Sequence, residues 1–114
     1  MEFYYHSVDK DVLILSADGG LNMDNADEFV SQLETLVESG IRKLIVDCTK
    51  LTYISSWGMR VLVQLHKKLA NRGGDVKLAG VQGPIMRILE MVKFDRTFRM
   101  YPNVDEALEA FRSK

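Results

Sequence analysis

Apolar and polar positions along the chain change period several times, and each change marks a boundary between predicted elements. Residues 3–5 and 12–15 are short β-prone runs separated by the polar Asp9-Lys10-Asp11, which predicts a hairpin. Gly19-Gly20 then breaks the chain, and Asn22 or Asp24 offers a side chain suited to capping a helix start. Ala26, Phe29, Val30, Leu33, Leu36 and Val37 recur at helical spacing and form one apolar face. Gly40 is placed to end that helix in the left-handed conformation. The run Leu44-Ile45-Val46-Asp47-Cys48 is nearly continuously apolar, the mark of a central strand covered on both faces.

A second helical stretch follows Ser55-Ser56-Trp57-Gly58, with Met59, Leu62, Val63, Leu65 and Leu69 on its apolar side. Lys67, Lys68, Arg72 and His66 are assigned to its wet side, and Gly73-Gly74 terminates it. Val76-Lys77-Leu78-Ala79 alternates as a strand, and Gly83-Pro84 opens a third helix carrying Ile85, Ile88, Leu89 and Val92. A short strand over residues 99–101 precedes a last amphipathic helix with Val104, Ala107, Leu108 and Phe111. The predicted order is β-β-α-β-α-β-α-β-α: an α/β sandwich with a mainly parallel or mixed sheet, forming one domain over residues 1–114.

Composition narrows the function. The 114 residues are 46% hydrophobic and 27% charged, ordinary for a globular domain, and the net charge of -1 gives no general attraction to nucleic acid or anionic membrane. The sole cysteine, Cys48, lies in an apolar run and reads as a buried, inert thiol suited to a reducing cytosol. The first residues lack the pattern of a secretory signal, and no apolar stretch approaches the roughly 20 residues of a membrane span. These features lead to the expectation of a cytoplasmic protein with no membrane partner and no direct nucleic-acid partner.

Catalytic constellations are missing. His6 and His66 stand far apart in the sequence and in no metal-ligand spacing. The glycine pairs do not extend into a phosphate-binding loop, and Ser-Ser-Trp-Gly lacks the first glycine of a nucleophile elbow. The reading is of a non-enzyme with no metal and no cofactor.

The informative segment runs from Ile54 to Leu62, where a loop turns into a helix. A helix start carries unpaired backbone N–H groups and partial positive charge. A serine there has a structural use, since its hydroxyl can accept from one of those N–H groups, and Ser55 is assigned that cap. The same geometry suits a switch. A phosphoryl group at a helix N-terminus is tolerated by the fold, yet it places about -1.5 to -2 charges on one point of the surface.

The run Asp47-Cys48-Thr49-Lys50-Leu51-Thr52-Tyr53-Ile54-Ser55-Ser56-Trp57-Gly58-Met59-Arg60-Val61-Leu62 resembles the signature of bacterial anti-sigma factor antagonists, members of the STAS domain family. Gly19-Gly20-Leu21-Asn22 with Asn25-Ala26, Gly73-Gly74-Asp75-Val76-Lys77-Leu78 and Asp105-Glu106-Ala107-Leu108 resemble flanking motifs of that family in the same order. The resemblance implies a single STAS-like domain: a mixed sheet of about four to five strands, with about four helices packed mainly on one face. It also implies an anti-sigma factor antagonist regulating transcription. Unphosphorylated, it would bind an anti-sigma factor serine/threonine kinase and release a sigma factor; the kinase would then phosphorylate it and a phosphatase would reset it. Residue by residue, the phosphorylated serine falls on Ser56, with Ser55 as the weaker choice. The partner-binding surface falls on Asn22, Asp24, Ser55, Ser56, Trp57, Met59 and Arg60. Ser55 stands where the family commonly has aspartate, and Asn22 where the first acidic loop residue usually lies. A STAS scaffold without phosphorylation and a small-ligand sensor are the alternative functions.

Overall fold

The computed structural model describes residues 2–8, 12–21, 23–93 and 98–112. In chain order the elements are β1 (Glu2–Ser7), β2 (Val12–Leu21), α1 (Met23–Glu38), β3 (Lys43–Asp47), β4 (Leu51–Ile54), α2 (Ser56–Ala70), β5 (Asp75–Ala79), α3 (Gly83–Met91), β6 (Arg99–Tyr101) and α4 (Val104–Arg112). Five strands lie side by side as β1-β2-β3-β5-β6, and β4 pairs with the far end of β2. The β1–β2 pairing is antiparallel and the others are parallel, so the sheet is mixed, as the resemblance implied.

Strand alternation sorts the core into two layers. Leu13, Leu15, Leu44, Val46, Val76 and Leu78 face α1, α2 and α3 in one large cluster. Val12, Ile14, Ile45 and Ala79 point the other way and are covered by Ala107 and Phe111 of α4. The nearly unbroken apolar run of β3 is thus explained by burial on both faces. Gly40 and Gly73, at φ 114° and 80°, adopt the left-handed backbone that ends α1 and α2 where the sequence placed those stops.

Four expectations are corrected. Gly19-Gly20 does not break β2; the strand leaves β3 after Ser16, pairs with β4 from Gly19 onward, and shifts register by one residue between the two glycines. β4 itself was not anticipated. Ile88 and Val92 do not face the core but are 40% and 53% exposed, because the nine-residue α3 buries a narrow stripe of Ile85 and Leu89. His66 is not on the wet side. Its Nε2 lies 3.2 Å from Asp75 Oδ1, and its ring meets Phe98 edge-on at 5.1 Å.

Candidate functional site

The N-terminal end of α2 is built by β4 and a serine cap. Leu51 and Ile54 are buried and root β4 in the core, while Thr52 and Tyr53 point outward. The chain then turns at Ser55, whose extended backbone (φ -85°, ψ 169°) is that of an N-cap residue. Its Oγ accepts from the Gly58 backbone N–H at 3.0 Å, and its carbonyl accepts from Met59 N–H at 2.9 Å, closing the first helical turn. Ser55 therefore caps the helix, as its position predicted.

Ser56 is the first residue of α2, and its side chain is exposed. Its hydroxyl makes no hydrogen bond among the described residues. The two adjacent serines differ in kind: the Ser55 oxygen is engaged in the fold, and that of Ser56 is open to solvent. No acidic residue stands in the first turn of α2, so no side chain there offsets the positive end of the helix.

Trp57 and Met59 are partly buried and pack against the large core cluster. The Trp57 Nε1 is buried with no hydrogen-bond acceptor among the described residues. Arg60, exposed one turn along, places its guanidinium carbon 5.5 Å from the Trp57 ring centroid. Ser55, Ser56, Trp57, Met59 and Arg60 thus lie together on one helix end. Asp24 falls in the first turn of α1, and Asn22 lies outside the described residues.

A second feature has no counterpart in the sequence reading. Ser16, Ala17, Asp18, Asp47, Thr49 and Lys50 line a cleft of about 340 Å³ beyond the carboxyl end of β3. Asp47 accepts from the Thr49 N–H at 3.1 Å and hydroxyl at 2.8 Å, which holds the turn into β4. The cleft unites residues from strands 31 positions apart, so only sheet pairing could have revealed it. Beside it, Cys48 is 2% exposed, and burial, reinforced by the Asp47 charge, pushes its thiol up to about 12. That thiol stays protonated and is no nucleophile. Among the described residues, no group of three or more His, Cys, Asp or Glu side chains could hold a metal ion.

A candidate anti-sigma factor antagonist of Thermotoga maritima is 29% identical over 113 residues, covering 98% of this chain and 99% of its own. The crystal structure of an antagonist so described from that organism superposes with a TM-score of 0.91 at 28% identity, over 96% of this chain and 94% of that one. Another candidate antagonist, BtrV of Bordetella bronchiseptica, is 28% identical over 90% of this chain and 88% of its own. Unphosphorylated SpoIIAA, also an anti-sigma factor antagonist, shares the fold at a TM-score of 0.78 and 13% identity, covering 99% and 100% of the two chains. The STAS domain model matches residues 6–107, from β1 to the middle of α4. With that span matched, the chain belongs to the STAS domain family.

Proposed function

We propose that this domain is an anti-sigma factor antagonist controlled by phosphorylation of Ser56. Unphosphorylated, it docks on an anti-sigma factor that is also a serine kinase, through the N-terminal end of α2, and the sigma factor held by that partner is released. The relatives named above are described as antagonists, that is, as binding regulators rather than enzymes. SpoIIAA is also known in a phosphorylated form with the same fold, at a TM-score of 0.77 and 14% identity. The proposed setting is the cytoplasm; among the described residues no helix is long and apolar enough to cross a membrane.

One observation carries the choice of serine. The Ser55 oxygen is occupied as the cap of α2, whereas Ser56 presents a free hydroxyl on the adjoining residue. In the transfer, Ser56 Oγ forms a bond to the γ-phosphorus of ATP held by the kinase. The bond to the β–γ bridging oxygen breaks, ADP leaves with that electron pair, and the hydroxyl proton passes to a base of the kinase. A phosphatase returns the serine by hydrolysis, releasing inorganic phosphate. The product carries about -1.5 to -2 charges at a point where the partner meets a neutral hydroxyl. The complex then separates by repulsion and by the cost of desolvating the phosphate.

The test mixes the protein with its co-purified kinase partner and ATP and maps the phosphate by mass spectrometry. Phosphate on Ser56, absent from Ser56→Ala, is the expected result. Phosphate on Ser55 alone, or on neither serine with a confirmed partner, would defeat the assignment.

A further inference from the structure

The Arg60–Trp57 contact sits beside the proposed phosphosite, and its geometry bears on how the switch is read. Ser56 and Arg60 are four positions apart on one helix, so their side chains share a face with Cβ atoms about 5–6 Å apart. An acid N-terminal to a base at this spacing is the favourable order. In the unmodified protein Arg60 rests over the Trp57 ring, and among the described residues it makes no ion pair. The indole itself has no hydrogen-bond anchor among those residues, since its buried Nε1 meets no acceptor there. Arg60 is thus a guanidinium held at an exposed position by a ring quadrupole alone, a weak hold. A phosphate at Ser56 would offer it a dianion with paired oxygens, which a planar guanidinium binds through two parallel hydrogen bonds.

Resting on the proposed phosphorylation of Ser56, we propose that the modification moves Arg60 from the Trp57 ring onto the phosphate. One covalent event then has two effects on the docking surface. An anion appears at Ser56, and the cation that had capped the indole is withdrawn, leaving the Trp57 face open. The partner loses a cationic contact at the same moment that it meets a phosphate. Arg60 partly neutralises that phosphate, so the structural change around Trp57 contributes to the switch together with the charge.

The test installs phosphoserine at position 56 during translation, in the wild-type chain and in R60Q, so that no kinase is needed. Titration by phosphorus NMR at low salt reads the second ionisation of the phosphate. With Arg60 present its midpoint lies lower than in R60Q by about a third of a pH unit, a roughly twofold change in the ionisation constant. The emission of Trp57, the chain's only tryptophan, shifts on phosphorylation in the wild type and stays unchanged in R60Q. Both results are required. Midpoints that agree in the two proteins, or an emission shift that survives in R60Q or is missing from the wild type, overturn the proposal. A kinase that fails to modify Ser56 would instead sink the proposed function, and this measurement would separate the two failures.

Discussion

The two ends of α2 do opposite work. Towards its C-terminus the helix is an anchor: Leu62, Leu65 and Leu69 are buried in the large cluster, and Lys68 reaches Glu34 of α1 at 2.6 Å. Just past the helix, Arg72 meets Glu38 of α1 at 3.0 Å. Towards the N-terminus the same helix presents Ser56 and Arg60 to solvent, with one engaged oxygen, that of Ser55, setting where it starts. A helix anchored along its buried face holds Ser56 and Arg60 in a set position without burying them. Surface chemistry can then change there while the fold stays intact.

That division can be broken by substitution. Leu65→Ala removes a side chain from the anchored end and is expected to cost about 2–5 kcal/mol in a denaturant titration, through lost burial and a cavity. A loss below about 0.5 kcal/mol would mean that the C-terminal half is not the anchor.

The large core cluster, on which Trp57 and Met59 pack, is tested through Cys48. The native thiol keeps its proton up to about 12, whereas the unfolded chain releases it above the ordinary value of 9.0. Between those values the unfolded state binds fewer protons, so stability falls as pH rises. At neutral pH both states hold the proton and nothing is lost. Cys48→Ala should flatten that slope, and a thiol reagent at pH 8 should label the native protein only as fast as it unfolds. Rapid native labelling would show that water reaches the base of the site.

Ser55→Ala should cost about 1 kcal/mol by freeing the Gly58 N–H, with far-UV dichroism otherwise preserved. The smallest effect on stability belongs to Ser56→Ala, expected within about 0.5 kcal/mol of wild type by the same titration. Its effect on signalling is expected to be the largest of the set: binding to the kinase partner retained, phosphorylation abolished. Ser56→Asp should fold, since a helix N-terminus accepts negative charge, and should bind the partner more weakly in a pull-down. If Ser56→Ala destabilised the protein as much as Ser55→Ala does, the distinction between the two serines would collapse.

Much of this was legible in the sequence because it depends on local pattern. The helix faces of α1 and α4, the cap at Ser55, the left-handed stops and the buried thiol all follow from periodicity or short-range chemistry. What escaped depends on pairing between distant segments. β4 has four residues, of which the two middle ones are exposed, so it shows no alternation; it is a strand because β2 continues through Gly19-Gly20 to Leu21 and pairs with it there. Likewise His66 looked solvated beside Lys67 and Lys68, but the start of β5 brings Asp75 against it. Lys77 occupies an alternate position of its strand, yet α4 covers that face and leaves it 7% exposed, 4.5 Å from the Phe111 ring centroid. At the candidate site, the helix end and its serines were readable, whereas the cleft at Asp47 needed the sheet.

Asp75 has a consequence for how the layers hold their positions. Its Oδ1 receives His66 from α2, and its Oδ2 lies 3.3 Å from Lys77 Nζ, which is tucked beneath α4. One carboxylate at the rim of the sheet is therefore gripped from both sides, while its own backbone N–H donates to the Arg42 carbonyl at 3.0 Å. Sliding α2 along the sheet by one helical turn, about 5.4 Å, would tear His66 away. Lifting α4 would strip the aromatic cover from Lys77. Asp75 thus ties α2 and the face beneath α4 to the same strand through one carboxylate, adding a directional link to layers already held by packing.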